Sequence, residues 1–254
     1  MTTPLLEARS LVKHYGSVEA LRGASFEVAA GEVVSLIGDN GAGKSTFIKC
    51  LSGAEQPDSG QILLDGKEIH LDSPTVARSL GIETVYQDLA VAPDLDPAAN
   101  LYLGREIKRK GILGTLGMLD KKEMRRRAVE EFGRLGVTLQ SVDVPIGSLS
   151  GGQRQSVAVA RSVVWASKVV FMDEPTAALG VVQRERVLDV IRKVRDAGIG
   201  VVLISHNMPE VLSVSDRVEV LRLGKRVARF KASEASLTDL VGAMTGALVQ
   251  EDVA

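Results

Sequence analysis

The stretch Gly38-Asp39-Asn40-Gly41-Ala42-Gly43-Lys44-Ser45-Thr46 fits the phosphate-loop pattern G-x-x-x-x-G-K-[ST]. Its glycines let the backbone curl so that N–H groups point inward at phosphate oxygens. Lys44 can reach the outer phosphates, and the Ser45 hydroxyl can ligate Mg²⁺. Far downstream, Val169-Val170-Phe171-Met172-Asp173-Glu174-Pro175 is an apolar run ending in two carboxylates. This is the Walker B arrangement, in which Asp173 holds Mg²⁺ through its water shell and Glu174 can take a proton from an attacking water. Gly200-Val201-Val202-Leu203-Ile204-Ser205-His206 ends a further apolar run in a histidine, a candidate sensor of the γ-phosphate. Between these, Leu149-Ser150-Gly151-Gly152-Gln153 opens a helix with a serine cap and two glycines, a second anion site. The plain alternatives are a glycine turn that lets a helix pack on a sheet, exposed turn carboxylates and a structural histidine. Together the residues predict a nucleoside triphosphate site, yet two anion sites 106 positions apart, at Lys44 and Ser150, need an explanation.

Elements must present these groups. Val33–Ile37 reads as a buried strand and Phe47–Leu51 as a helix, the flanks that a phosphate loop requires. Ala24–Val28 alternates, Ala30-Gly31-Glu32 turns, and the strand into the loop follows, a hairpin pattern that suggests an antiparallel lobe. Tyr15, upstream of the loop, is either an adenine-stacking aromatic or a half-buried strand tyrosine. Gln61–Gly66 and Ile82–Tyr86 read as strands, the second ending at Gln87, which alone is a polar cap.

From residue 88 to 165 the texture changes. Ala92–Pro97 is a loop with two prolines, and residues 105–122 look irregular and exposed. The cations Arg105, Lys108, Arg109 and Lys110 read first as a solvated loop, the alternative being lipid or nucleic-acid contact. Met124, Ala128, Phe132 and Leu135 share one face of a helix over Lys121–Leu135. The predicted fold is α/β: a phosphate-loop core with an antiparallel β lobe (5–87 and 166–244), an inserted helical subdomain (88–165) and a tail (245–254), all in one domain over 1–254. A hairpin over Val218–Phe230 and a short helix over Leu237–Met244 complete the core.

Bulk properties narrow the classes. Net charge is −1, which argues against an extended nucleic-acid surface, so no nucleic-acid partner is expected. The single cysteine, Cys50, forms no internal disulfide. No run approaches the roughly 18 apolar residues of a membrane span. The opening residues carry no basic segment followed by an apolar one, which predicts no signal peptide and a soluble, intracellular protein.

The phosphate loop, Gln87, Leu149–Gln153, Asp173-Glu174 and His206 follow one another in an order that resembles the ATP-binding cassette of ABC transporters, over about Leu5 to Met244. In that family two cassettes face head to tail, and each ATP lies between one phosphate loop and the partner's signature. The resemblance thereby explains two anion sites and implies a homodimer or a pairing with a second cassette. It makes Tyr15 the adenine-stacking residue, and residues 38–46 with Ser150, Gly151, Gly152 and Gln153 the ATP contacts. Ser45, Gln87 and Asp173 become the Mg²⁺ ligands, Gln87 also touching the attacking water; Glu174 becomes the general base and His206 the γ-phosphate switch. The helical lobe becomes the docking surface for transmembrane permease subunits and, through them, a sugar-binding protein, at the cytoplasmic face of the membrane.

Glu83–Leu89 and Asn100–Glu106 are similar to segments of monosaccharide importers, as is Gly180, where many cassettes place an Asp that bonds across the dimer. Most of that class fuses two cassettes, so the chain resembles its single-cassette subset. A cassette for a non-sugar substrate, or a soluble cassette in DNA repair or translation, stays open at this point; the latter usually shows a long coiled coil, and no sustained heptads occur here.

Overall fold

The computed structural model describes residues 4–85, 91–137, 139, 141–177 and 179–250. In chain order, the first elements are β1 (Leu6–Tyr15), β2 (Val18–Val28), β3 (Val33–Ile37), α1 (Lys44–Leu51), β4 (Ser59–Leu64), β5 (Lys67–Glu68), α2 (Pro74–Ser79) and β6 (Ile82–Val85). Next come α3 (Pro97–Leu101), α4 (Ile112–Thr115), α5 (Lys121–Leu135) and α6 (Gly151–Trp165). Then follow β7 (Val169–Asp173), α7 (Val181–Asp196), β8 (Gly200–Ile204), α8 (Met208–Val214), β9 (Arg217–Arg222), β10 (Lys225–Lys231) and α9 (Leu237–Thr245). They form two compact units: Met1–Val85 with Trp165–Glu174 and Ile191–Ala254, and Tyr86–Val164 with Pro175–Val190. The sequence reading assigned 166–244 to the core as one block; spatially, Pro175–Val190 group with the helical segment instead.

The first unit holds both sheets. A six-stranded sheet runs β10-β9-β3-β8-β7-β6, its strands parallel except for β10, which pairs antiparallel with β9. β3, β7 and β8 read as continuous apolar runs because nearly every residue is buried. A four-stranded antiparallel sheet runs β2-β1-β4-β5. The expected antiparallel lobe is therefore present, but its pairing corrects the sequence reading. β2 and β3 are consecutive yet lie in different sheets, and β2 takes β1 as its partner. The Ala30-Gly31-Glu32 turn does not close a hairpin; the Glu32 carboxylate accepts from Ala29 N at 2.8 Å while β3 departs into the parallel sheet. Phe26 of β2 meets Phe47 of α1 edge-on at 5.8 Å between ring centres, in a core shared with Leu6, Leu51, Phe171 and Ile204.

In the second unit, α5 begins at an Asp120 cap that accepts from Glu123 N and ends at Gly136 in the left-handed region. The predicted face of Met124, Ala128, Phe132 and Leu135 is the one that is buried. α3 starts on Asp96-Pro97, cap and first-turn proline. Ahead of it, the fully buried Asn100 organises the loop that the sequence showed only as proline-rich. Its Oδ1 accepts from Ala92 N at 2.7 Å, and its Nδ2 faces the carbonyls of Ala92, Leu95 and Asp96 at 2.9, 3.1 and 3.1 Å. Asn100→Leu keeps the volume and strands the Ala92 N–H, while the three carbonyls keep backbone donors from Leu95, Ile146 and residue 100 itself. With about 1–3 kcal/mol for one unsatisfied buried group, the variant should lose roughly 2 kcal/mol, read as a lower urea midpoint.

Candidate functional site

The site in the first unit is built at the carboxyl ends of three neighbouring parallel strands, β3, β8 and β7. β3 delivers the phosphate loop. Gly38 and Gly43 take φ of 156° and 101°, and a Cβ on either would collide with backbone: 2.2 Å from Leu221 O and 2.6 Å from Ala20 O. The loop is thus pressed onto the β9–β10 turn, and Gly224 N donates to Ala42 O at 3.0 Å. Among the described residues no side chain caps α1, whose first turn begins at Lys44. Its leading amides are left for an anion, with the positive end of the helix behind them.

The Lys44 ammonium bonds Gly38 O at 2.6 Å and Asp39 O at 2.9 Å, so two of its three donors arch over the loop. Partial burial lowers its pKa from the ordinary lysine value, opposed by Glu174, Asp39 and Asp173. Ser45 and Asn40 are exposed and Thr46 half-buried along the same turn. Asp173 closes β7 opposite Ile204 of β8. Burial first, and the neighbouring Glu174 second, push its carboxyl above the ordinary aspartate value, while Lys44 pulls the other way. Hydroxyl and carboxylate oxygens are the hard donors that Mg²⁺ takes.

Glu174 follows in the left-handed region, with φ of 50°, and its N–H donates to Ile204 O at 2.9 Å. A non-glycine residue held there stores strain of about 1–3 kcal/mol. The turn brings Glu174 Oε1 to 2.8 Å from His206 Nδ1. The His206 ring is 80% exposed and the Glu174 side chain 16%. Beyond it, Asn207 caps α8 by accepting from Glu210 N, which fixes where β8 stops and the histidine begins. Loop, Asp173, Glu174 and His206 therefore share one edge of one sheet. Tyr15 ends β1, 42% exposed, with Lys13 Nζ 5.8 Å from its ring centre. The Asp58 carboxylate pins that strand end, accepting from His14 N at 2.6 Å and from Lys13 Nζ at 3.1 Å. Gln87 lies outside the described residues.

In the second unit, Ser150 and Gln153 cap α6 reciprocally. Gln153 N donates to Ser150 Oγ at 3.3 Å, and Gln153 Oε1 accepts from Ser150 N at 3.0 Å. Gln153, expected as a ligand contact, is occupied here with its own helix. Gly151 faces open space. Gly152 lies under Gln183 of α7, whose Cγ would be 2.3 Å from an added Cβ, and the same side chain lies 2.9 Å from a Cβ at Gly180. Gln183 was missed in the sequence because nothing nearby marks it; its place shows only once α7 packs beside α6. Gln155 was missed too. It is a buried amide whose Nε2 donates to Pro175 O at 2.7 Å, and a polar residue on the apolar face of α6 was the available signal.

Comparison with known proteins agrees with this geometry. The family model described as ABC transporter matches residues 21–177. The fructose import ATP-binding protein FrcA of Rhizobium meliloti is 51% identical over 246 residues, covering 96% of this chain and 95% of that protein. The xylose/arabinose import ATP-binding protein XylG of Sulfolobus acidocaldarius is 44% identical, covering 95% and 94%. A ribose import ATP-binding protein of Rubrobacter xylanophilus is 41% identical over 98% of this chain but only 48% of its own length. Among solved structures, the ADP conformation of the ATP-binding cassette MJ1267 superposes with a TM-score of 0.81 at 27% identity, covering 94% of this chain and 96% of that one. A dimeric bacterial cassette, MJ0796, gives 0.74 at 25% identity, covering 89% and 98%. With a phosphate-loop α/β core, an antiparallel sheet and a helical unit carrying the signature, the chain belongs to the ABC transporter family.

Proposed function

We propose that this chain is the ATP-hydrolysing subunit of an importer for a monosaccharide, working at the cytoplasmic face of a membrane. The observation that carries the chemistry is the convergence of the phosphate loop, Asp173, Glu174 and His206 on one sheet edge. Residues 38–46 hold the triphosphate: loop amides and Lys44 take its oxygens, and Tyr15 stacks on the adenine. Ser45 and Asp173 hold Mg²⁺, and the surplus negative charge of Asp173 beside Glu174 suits a dication. When bound, the ion neutralises charge on the outer phosphates. Glu174 accepts the proton of the attacking water, and His206 orients that carboxylate and senses the γ-phosphate. Ser150, Gly151 and Gly152, at a helix N-terminus, serve the nucleotide of a second cassette, so two copies close around two ATP.

The sugar rests on relatives named as importers of fructose, xylose/arabinose and ribose. Among the described residues no helix is long and apolar enough to cross a membrane, so passage falls to permease subunits, fed by a sugar-binding protein. The test is purification of the tagged chain from its own membranes in mild detergent. Co-purification of a polytopic membrane protein and a sugar-binding protein is the expected outcome. Soluble partners alone, or DNA or ribosomes, would overturn the importer and leave the ATPase.

A further inference from the structure

Between α3 and α5 the chain folds back on itself as a closed finger, where the sequence suggested only an irregular segment. Arg109 N donates to Met118 O at 2.9 Å and Asp120 N to Ile107 O at 2.7 Å, and Lys108 and Leu119 form an antiparallel bridge. A Cβ on Gly114 would stand 1.7 Å from Arg109 O, so only glycine lets α4 lie against the neck. The backbone is therefore tied down, yet the tip faces outward. Ile112 is 80% exposed, Leu116 74%, Met118 45% and Leu113 44%.

The neck carries Lys108, Arg109 and Lys110, all exposed, with Lys121 and Lys122 at its base. Residues 105–122 contain six basic and two acidic side chains in a chain whose net charge is −1. Both acids are engaged, Glu106 with Gly104 N and Asp120 in capping α5. The one hydroxyl at the tip, on Thr115, turns inward to Ile112 O at 2.7 Å. What remains outward is hydrocarbon at the tip and cations around the neck, a charge complementary to an anionic surface. Non-directional burial of apolar tips with cations at headgroup level is how interfacial segments bind anionic bilayers.

We propose that this finger is a membrane-surface anchor, seating Ile112, Leu113, Leu116 and Met118 in the interface of an anionic bilayer with Lys108, Arg109 and Lys110 against its headgroups. The anchor needs no other polypeptide, so bare vesicles test it, independently of the importer reading. The full chain is floated with vesicles of phosphatidylcholine alone or mixed with phosphatidylglycerol, and Leu116→Trp reports tip burial by fluorescence. Binding to the anionic vesicles only, a blue shift of the new tryptophan and release by molar salt are expected, the screening length falling from about 10 to 3 Å. Ile112→Ser/Leu116→Ser should abolish the interaction. Lys108→Ser/Arg109→Ser/Lys110→Ser should weaken it roughly a hundredfold, about fivefold for each cation. Both variants should keep ATP binding, which certifies their fold. Failure of the intact chain to float with anionic vesicles, or equal flotation of all three proteins, overturns the proposal. So does an unshifted tryptophan together with loss of a co-purifying membrane protein in the variants, which would assign the finger to a protein partner.

Discussion

Glu174→Gln should bind ATP as the unaltered chain does, hydrolyse it about a thousandfold more slowly, and accumulate as a closed dimer with nucleotide trapped. The substitution keeps the size of the side chain and an oxygen to face His206, now 2.8 Å from the carboxylate. It also keeps the left-handed backbone at φ 50° that aims the group. The negative charge goes, and with it the capacity to take a proton; positioned bases contribute typically 10²–10⁴-fold. Affinity should hold because the groups proposed to meet the phosphates, Lys44 and the amides after Gly43, do not bond Glu174. Single-turnover hydrolysis and equilibrium nucleotide binding, measured on the same preparation, separate the two effects, and size-exclusion with ATP reads the dimer. Turnover within a few-fold of the unaltered chain would remove Glu174 from the role of base. Loss of nucleotide binding would mean instead that the turn itself had collapsed.

The residues of that site were legible because each motif is local. A phosphate loop needs eight consecutive residues between a strand and a helix, and Asp173-Glu174 and His206 each end an apolar run short enough to read as a buried strand. That these runs are neighbours, and so bring Glu174 against His206, is a tertiary fact that spacing does not contain. Helix α5 was equally plain, since its apolar face recurs along the chain itself. Strand pairing was less so. A turn between β2 and β3 looks like a hairpin whenever the two partners are judged by proximity in sequence, and β2 instead found β1, which buries Leu6, Ala8 and, beyond a register shift, Leu11 against the same core. Asn100 escaped notice for a related reason: a lone amide declares nothing until the backbone groups that need it are seen. The finger escaped because Gly114 reads as a helix breaker, whereas its missing side chain is what lets the turn close.

The least legible group is Glu219, and it carries the second large expectation. It lies in the middle of β9 between Val218 and Val220, with no exposed surface. Three guanidinium groups meet its two oxygens: Arg217 and Arg229 at Oε1, the latter at 2.8 Å, and Arg226 at Oε2 at 3.5 Å. Arg229 also reaches Glu27 of β2 at 2.9 Å, and Arg217 bonds Glu27 O at 2.7 Å and Glu32 at 2.9 Å. Burial pushes the Glu219 carboxyl above the ordinary glutamate value, and Arg226, Arg217 and Arg229 pull the other way. The network thus ties β9 and β10 to β2 and to the turn that launches β3, joining the two sheets of the first unit behind the phosphate loop. Glu219→Gln keeps the shape and deletes the charge that Arg217, Arg226 and Arg229 share. Breaking one partner of a buried ionic cluster costs about 3–5 kcal/mol. At about 2–4 °C per kcal/mol for a chain of this size, the melting midpoint should fall by roughly 10 °C. Glu123→Gln is the matched control, because its ion pairs with Arg126 and Arg127 lie on the surface, where such pairs add little, and its midpoint should not move. An unchanged midpoint for Glu219→Gln would mean that Glu219 is neutral in the folded chain and that the arginines are held by their other partners. The sheets would then be joined by apolar packing, with the ion cluster a passenger.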